Sequence, residues 1–240
     1  MTHTRPPVLV GCSHGTDSVA GRAAIRSILD GIRRQRPDLD VREAFVDVQQ
    51  PEVPDVVAGA VEPDGSTAVV VPLLLSVGFH VRVDIAESVE GHPAVAAAPL
   101  GPDPRLVDLL ADRLAQAGLH DDDAVVLAAA GSTDPAAAVA VEAIGSGLAE
   151  RIGRHVHIGY GAGTTPRVPD AVAAARATGA PRVVVAAYLL APGFFHDRVL
   201  EAGGDIVSSP LAPDDRLAAI ALDRYAAACA RLDVPAARQR

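Results

Sequence analysis

Lysine is missing from the 240-residue chain, and all 21 basic side chains are arginine. Its absence excludes Schiff-base chemistry, the lysine of a phosphate-binding P-loop and a lysine general base. Against 30 acidic residues the arginines leave a formal charge of 21 − 30 = −9. That balance excludes a general nucleic-acid binder, whose phosphate contacts need a basic face. Tryptophan is also absent, methionine occurs once, and the aromatics are four Phe and three Tyr. The two cysteines, Cys12 and Cys229, lie far apart and form no CxxC pair. A disulfide framework, a zinc finger and a four-cysteine iron–sulfur cluster are thereby excluded. No apolar run approaches the roughly 18 residues of a membrane span, and the amino-terminal residues lack a signal-peptide core, so a cytoplasmic location is expected.

What remains is ample for folding. With 49 % hydrophobic and 21 % charged residues, the chain can bury a core in each of two domains. Short β-branched runs alternate with longer segments of helical period, the βαβ pattern of an α/β protein. Strands are expected at 8–10, 41–46, within the apolar run 67–75, and at 95–98; helices at 18–36, 53–61, 81–90 and 104–117. The order then repeats. Strands are expected at 124–128, 156–159, 182–190 and 205–207, and helices at 135–152, 168–178, from about 196, and at 214–232.

The repeat extends to residues. Pro51-Glu52-Val53-Pro54-Asp55-Val56-Val57 answers Pro166-Arg167-Val168-Pro169-Asp170-Ala171-Val172 at an offset of 166 − 51 = 115. His80 answers His196 at 196 − 80 = 116. The expected architecture is therefore an internal duplication: two similar halves, 1–120 and 121–240, each a parallel sheet flanked by helices.

In such sheets chemistry collects beyond the carboxyl ends of strands. His14 follows the first strand, Asp47 the second and His80 the third, with equal steps of 47 − 14 = 33 and 80 − 47 = 33 residues. One βα unit per step sets the three side by side on one rim. Taken singly, each histidine is most simply a hydrogen-bonded loop residue, and Asp47 a turn residue or helix cap. Jointly they make a three-ligand site with open positions, suited to a first-row divalent metal. The second half keeps only His196; its counterparts of His14 and Asp47 are Ala130 or Gly131 and about Ala162. The first half is thus the expected active half. All four Phe sit at these loops (Phe45, Phe79, Phe194, Phe195), either as strand-end core or as walls for a flat conjugated ligand. The glycine-rich 159–163 segment leads into no helix and is not read as a phosphate loop.

These residues resemble the sirohydrochlorin chelatase family, the class II tetrapyrrole chelatases, in its long duplicated form. The resemblance rests on the strand leading to His14-Gly15-Thr16, on Ala44-Phe45-Val46-Asp47 with Pro51 and Pro54, and on Val69-Val70-Val71-Pro72-Leu73-Leu74-Leu75 running to Gly78-Phe79-His80 and Asp84-Ile85. It implies insertion of Fe²⁺ or Co²⁺ into sirohydrochlorin, for siroheme or cobalamin. It also implies that His14 and His80 hold the metal or take pyrrole protons, with Asp47 where the family usually has Glu. Ser13, Phe79, Arg82 and His196 are the candidate substrate contacts. No tightly bound cofactor is expected; the partners are an anionic tetrapyrrole and the metal, with no membrane and no protein partner deducible. A non-catalytic metal or tetrapyrrole carrier, and a chelatase for another metal such as nickel, remain open alternatives.

Overall fold

The structure, a computed structural model, describes residues 5–61, 66–76 and 78–232, without the side chains of 79–82. It contains two four-stranded, all-parallel sheets. The first runs β2-β1-β3-β4, from β1 (Val8–Ser13), β2 (Val41–Phe45), β3 (Ala68–Pro72) and β4 (Ala94–Ala96). The second runs β6-β5-β7-β8, from β5 (Ala124–Ala129), β6 (Val156–Tyr160), β7 (Val183–Tyr188) and β8 (Ile206–Val207). The helices are α1 (Val19–Gln35), α2 (Val53–Val61), α3 (Phe79–Val89), α4 (Pro104–Gln116), α5 (Pro135–Ile152), α6 (Val168–Arg176), α7 (Phe194–Leu200) and α8 (Asp215–Leu232).

Of the boundaries that differ from the sequence expectation, three bear on the site. The first strand continues through Gly11 and Cys12 to Ser13, because β1 is central and those residues pair with β2 and β3. The apolar run 67–75 stops being strand at Pro72; the Leu73 N–H still donates to the Cys12 carbonyl at 2.7 Å before the chain turns away. Helix α3 begins at Phe79, so His80 stands in its first turn rather than in the loop before it.

Each sheet is covered on both faces. Helices α2 and α3 pack outside the first sheet around Val10, Val57 and Ile85; α6 and α7 pack outside the second around Val126, Val172 and Val199. Between the sheets lies a single core that both halves share, including Leu9, Ile28, Leu29, Leu109, Leu127, Leu148, Leu217 and Ile220. The apolar stripe of α4 faces this core: Leu106, Leu109, Leu110 and Leu114 are all fully buried.

The last helix of each half is exchanged. Helix α4 follows the first sheet in sequence but packs on β7 and α5, whereas α8 packs on β3, β4 and α1. Matched polar clamps hold the exchange. Arg113 of α4 donates to the carbonyls of Pro210, Leu211 and Pro213, at 3.1, 2.8 and 2.9 Å. Arg224 of α8 donates to those of Pro99, Leu100 and Pro102, at 2.9, 3.0 and 3.2 Å. Arg105 reaches Asp223 and Arg216 reaches Asp112, at 2.8 and 2.7 Å. Every pair repeats at one offset, 224 − 113 = 223 − 112 = 216 − 105 = 111. Among the described residues no helix is long and apolar enough to cross a membrane.

Candidate active site

A cleft of about 830 Å³ opens between the halves, lined by residues 13–18 at the end of β1, 73–76 and Gly78 after β3, 129–132 at the end of β5, and 188–195 and Asp197 at the end of β7. Its position beyond the carboxyl ends of the central strands is where α/β sheets place ligands, and its volume suits a large organic molecule. The walls are mainly aliphatic, with Phe45, Phe194 and Phe195 added; Phe194 is 67 % exposed.

The halves meet face to face at the two ends of the cleft. A methyl group added at Gly21, in the first turn of α1, would come within 2.6 Å of the Pro192 carbonyl, and one at Gly193 would touch Thr16 and Ser18. At the other end a methyl group on Gly78 would lie 3.0 Å from the Ser132 hydroxyl. The contacts are equivalent: 132 − 16 = 116 and 193 − 78 = 115. The loop carrying His14 therefore faces the one carrying Phe194, and the loop before His80 faces the one carrying Ser132.

His14 is exposed and lines the cleft. Its neighbour in space is Asp47, whose N–H donates to the His14 carbonyl at 3.2 Å. One residue earlier the Val46 N–H donates to the Ser13 carbonyl at 2.9 Å. These bonds extend the β1–β2 ladder past the strands and set the two side chains on one rim, as the βα spacing implied. Gly15, at φ +93°, lets the loop turn beside Asp47. The Asp47 carboxylate accepts the Val48 N–H at 2.8 Å, and Val48 itself sits at φ +40°. A β-branched residue in that region is strained.

The remaining sequence candidates divide. Ser13 is buried and lines the cleft. Phe79, His80 and Arg82 occupy the first turn of α3, and their side chains lie outside the described residues. Asp47 stands on the rim but is not among the residues lining the cleft, and neither is His196. The latter's Nε2 is buried, with no hydrogen-bond partner among the described residues. Among those residues no group of three or more His, Cys, Asp or Glu side chains is placed to hold a metal ion. Cys12, two residues before His14, is buried, and burial aided by the Asp84 charge pushes its thiol up to about 12. It is a thiol, not a thiolate, at neutral pH.

Among the polar groups of the cleft that sequence reasoning passed over are Arg22, Glu43, Gln49 and Tyr188. The Gln49 Oε1 accepts the Thr16 N–H at 2.9 Å and so ties the β2 loop to the His14 loop. The Tyr188 hydroxyl is buried without a partner among the described residues, and burial raises its pKa well above the ordinary phenol value. One signal for Arg22 was present: in a chain without lysine, an arginine one turn into the helix after His14 is a natural cation for this rim.

The CbiX protein family matches residues 8–117 and, a second time, residues 124–228. A sirohydrochlorin ferrochelatase of Priestia megaterium is 28 % identical over 183 residues, covering 71 % of this chain and 69 % of that protein. A sirohydrochlorin cobaltochelatase of Sulfolobus acidocaldarius is 27 % identical over 108 residues, 43 % of this chain and 86 % of that protein. The fold matches SirB from Bacillus subtilis, solved with Fe³⁺, with a TM-score of 0.80 at 19 % identity; the match covers 94 % of this chain and 96 % of that one.

Proposed function

The chain belongs to the CbiX family, and from that premise we propose that it is a chelatase inserting a divalent metal, Fe²⁺ or Co²⁺, into sirohydrochlorin. The product would feed the siroheme or cobalamin branch. The observation that carries this reading is His14, exposed on an aliphatic and aromatic cleft between two α/β halves, with Asp47 hydrogen-bonded beside it through the backbone.

The chemistry follows from what insertion demands. The divalent ion must shed its water ligands, and the macrocycle must release two pyrrole N–H protons as four nitrogens take the metal. A neutral imidazole serves either need, since it binds such ions and exchanges protons near neutral pH. His14 and His80 are assigned to present the metal or accept those protons, and Asp47 to assist from the rim. Ser13, Phe79, Arg82 and His196 are assigned to the macrocycle's surroundings. The metal is a substrate in this scheme, and no resident cofactor is invoked.

The test is an anaerobic absorbance assay of the purified protein with sirohydrochlorin and, separately, Fe²⁺, Co²⁺ and Ni²⁺. Many turnovers per protein with Fe²⁺ or Co²⁺ are expected. Turnover with Ni²⁺ alone would reassign the metal, and tight binding without turnover would make the protein a carrier. No spectral change with any metal overturns the proposal.

A further inference from the structure

The cleft has an electrostatic difficulty. Apart from the Tyr188 phenol, its ionisable lining residues, among those described, are His14, three carboxylates (Asp17, Glu43, Asp197) and one permanent cation, Arg22. The whole protein carries −9, so a polyanionic ligand meets a repulsive field unless local donors offset it. Glu43 is already paired with Arg26, Nε to Oε2 at 3.2 Å. That pairing occupies Arg26 as well.

We infer that Arg22 is the carboxylate anchor of this cleft, binding a peripheral carboxylate of the tetrapyrrole. This rests on the proposed function and identifies the group that recognises the substrate's charge. The geometry is specific. Arg22 Nε donates to the Thr16 carbonyl at 2.8 Å, which fixes the guanidinium two residues beyond His14 along the same loop. Thr16 is itself held by Gln49 from the β2 side. The side chain remains 40 % exposed, and its ion-pair partner among the described residues, Asp17, stands 3.7 Å away and is 94 % exposed, a weak and solvated pair. The guanidinium lines the cleft with its Nε engaged and its terminal nitrogens left to this one weak pair, and its planar fork suits a carboxylate. Because Thr16 links the anchor to the His14 loop, a carboxylate held by Arg22 sets the macrocycle's position relative to His14.

The experiment compares wild type with Arg22→Ala, Arg22→Lys and, as a control for net charge, Arg151→Ala. Arg151 pairs with Asp108 on the exposed surface of α5, away from the cleft. Sirohydrochlorin is titrated into each protein without metal to obtain Kd, and KM and kcat are measured anaerobically with Co²⁺. Arg22→Ala is expected to raise Kd and KM roughly tenfold, as for loss of one charge-assisted pair, while kcat moves less than threefold. Lysine should recover part of the loss, and Arg151→Ala none should be lost. The methyl-esterified macrocycle should bind wild type and Arg22→Ala alike. An unchanged Kd in Arg22→Ala, or equal discrimination against the ester, overturns the anchor. Binding without turnover in wild type would instead overturn catalysis and leave the anchor tested by Kd; no binding by wild type overturns both. Circular dichroism of each variant separates misfolding from lost recognition.

Discussion

The two rims of the cleft share one backbone and differ in side chains. The Asp47 N–H donates to the His14 carbonyl at 3.2 Å in the first half, and the Ala162 N–H to the Ala130 carbonyl at 2.8 Å in the second. Gly15 and Gly131 both turn with positive φ, +93° and +86°. Yet His14 and Asp47 are answered by Ala130 and Ala162, and strained Val48 by Gly163 at φ +75°. The rim is built by main-chain bonds and by the core beneath it, so its side chains can be lost without unmaking it. The half that keeps them also keeps the strain at Val48, as expected where conformation serves a site. The second half relaxed there and contributes walls instead, through Phe194, Phe195 and Tyr188.

Breaking the difference at its chemical centre has the largest expected effect. His14→Ala should lower the insertion rate by about 100-fold or more, the usual loss for a positioned proton acceptor. Ala130→His placed in that variant should restore nothing, because no carboxylate stands at Ala162 to assist it. A His14→Ala rate within threefold of wild type would remove the distinction between the rims.

The exchanged helices offer a comparison in which the halves should behave alike. Arg113→Ala and Arg224→Ala each orphan three backbone carbonyls. Each should therefore cost about 3 kcal/mol in denaturant unfolding, with the two losses similar. A large loss in one variant only would show that a single clamp holds the exchange. The smallest effect is expected at Val48. Replacing it by glycine, as at Gly163, relieves the left-handed strain and should stabilise the protein by about 0.5–1 kcal/mol, read as a higher Tm. A lower Tm would mean that the side chain, 49 % exposed as it is, packs more than it strains.

Much of this was legible in the residues. Helix α5 begins at Pro135 behind its Asp134 cap and ends at Ile152 before left-handed Gly153, at the bounds its helical period had placed. The neighbourhood of His14 and Asp47 followed from βα spacing alone. Other features were written in the chain but at a different offset: Asp103, Arg105, Asp112 and Arg113 repeat at 111, not 115, in Asp214, Arg216, Asp223 and Arg224. That shift marks the exchanged helices as a unit, although nothing local says which sheet they cover. Arg22 and Tyr188 were not legible as a pair of cleft residues, since one belongs to each half and only the docking of the halves brings them to one cavity.

The chain that lacks lysine thus carried in its residues alone the duplication, the α/β elements, and the replacement of His14 and Asp47 by small residues in the second half. Strand and helix periods, caps and loop residues act over a few neighbours, and a sequence displays such short-range preferences directly. The partners of α4 and α8, the facing of the His14 loop toward Phe194, and the gathering of the cleft's charges around a single described arginine were decided only in three dimensions. The apolar stripe of α4 fits either sheet by composition, and the choice between them falls to long-range packing and to the arginine clamps that close over it.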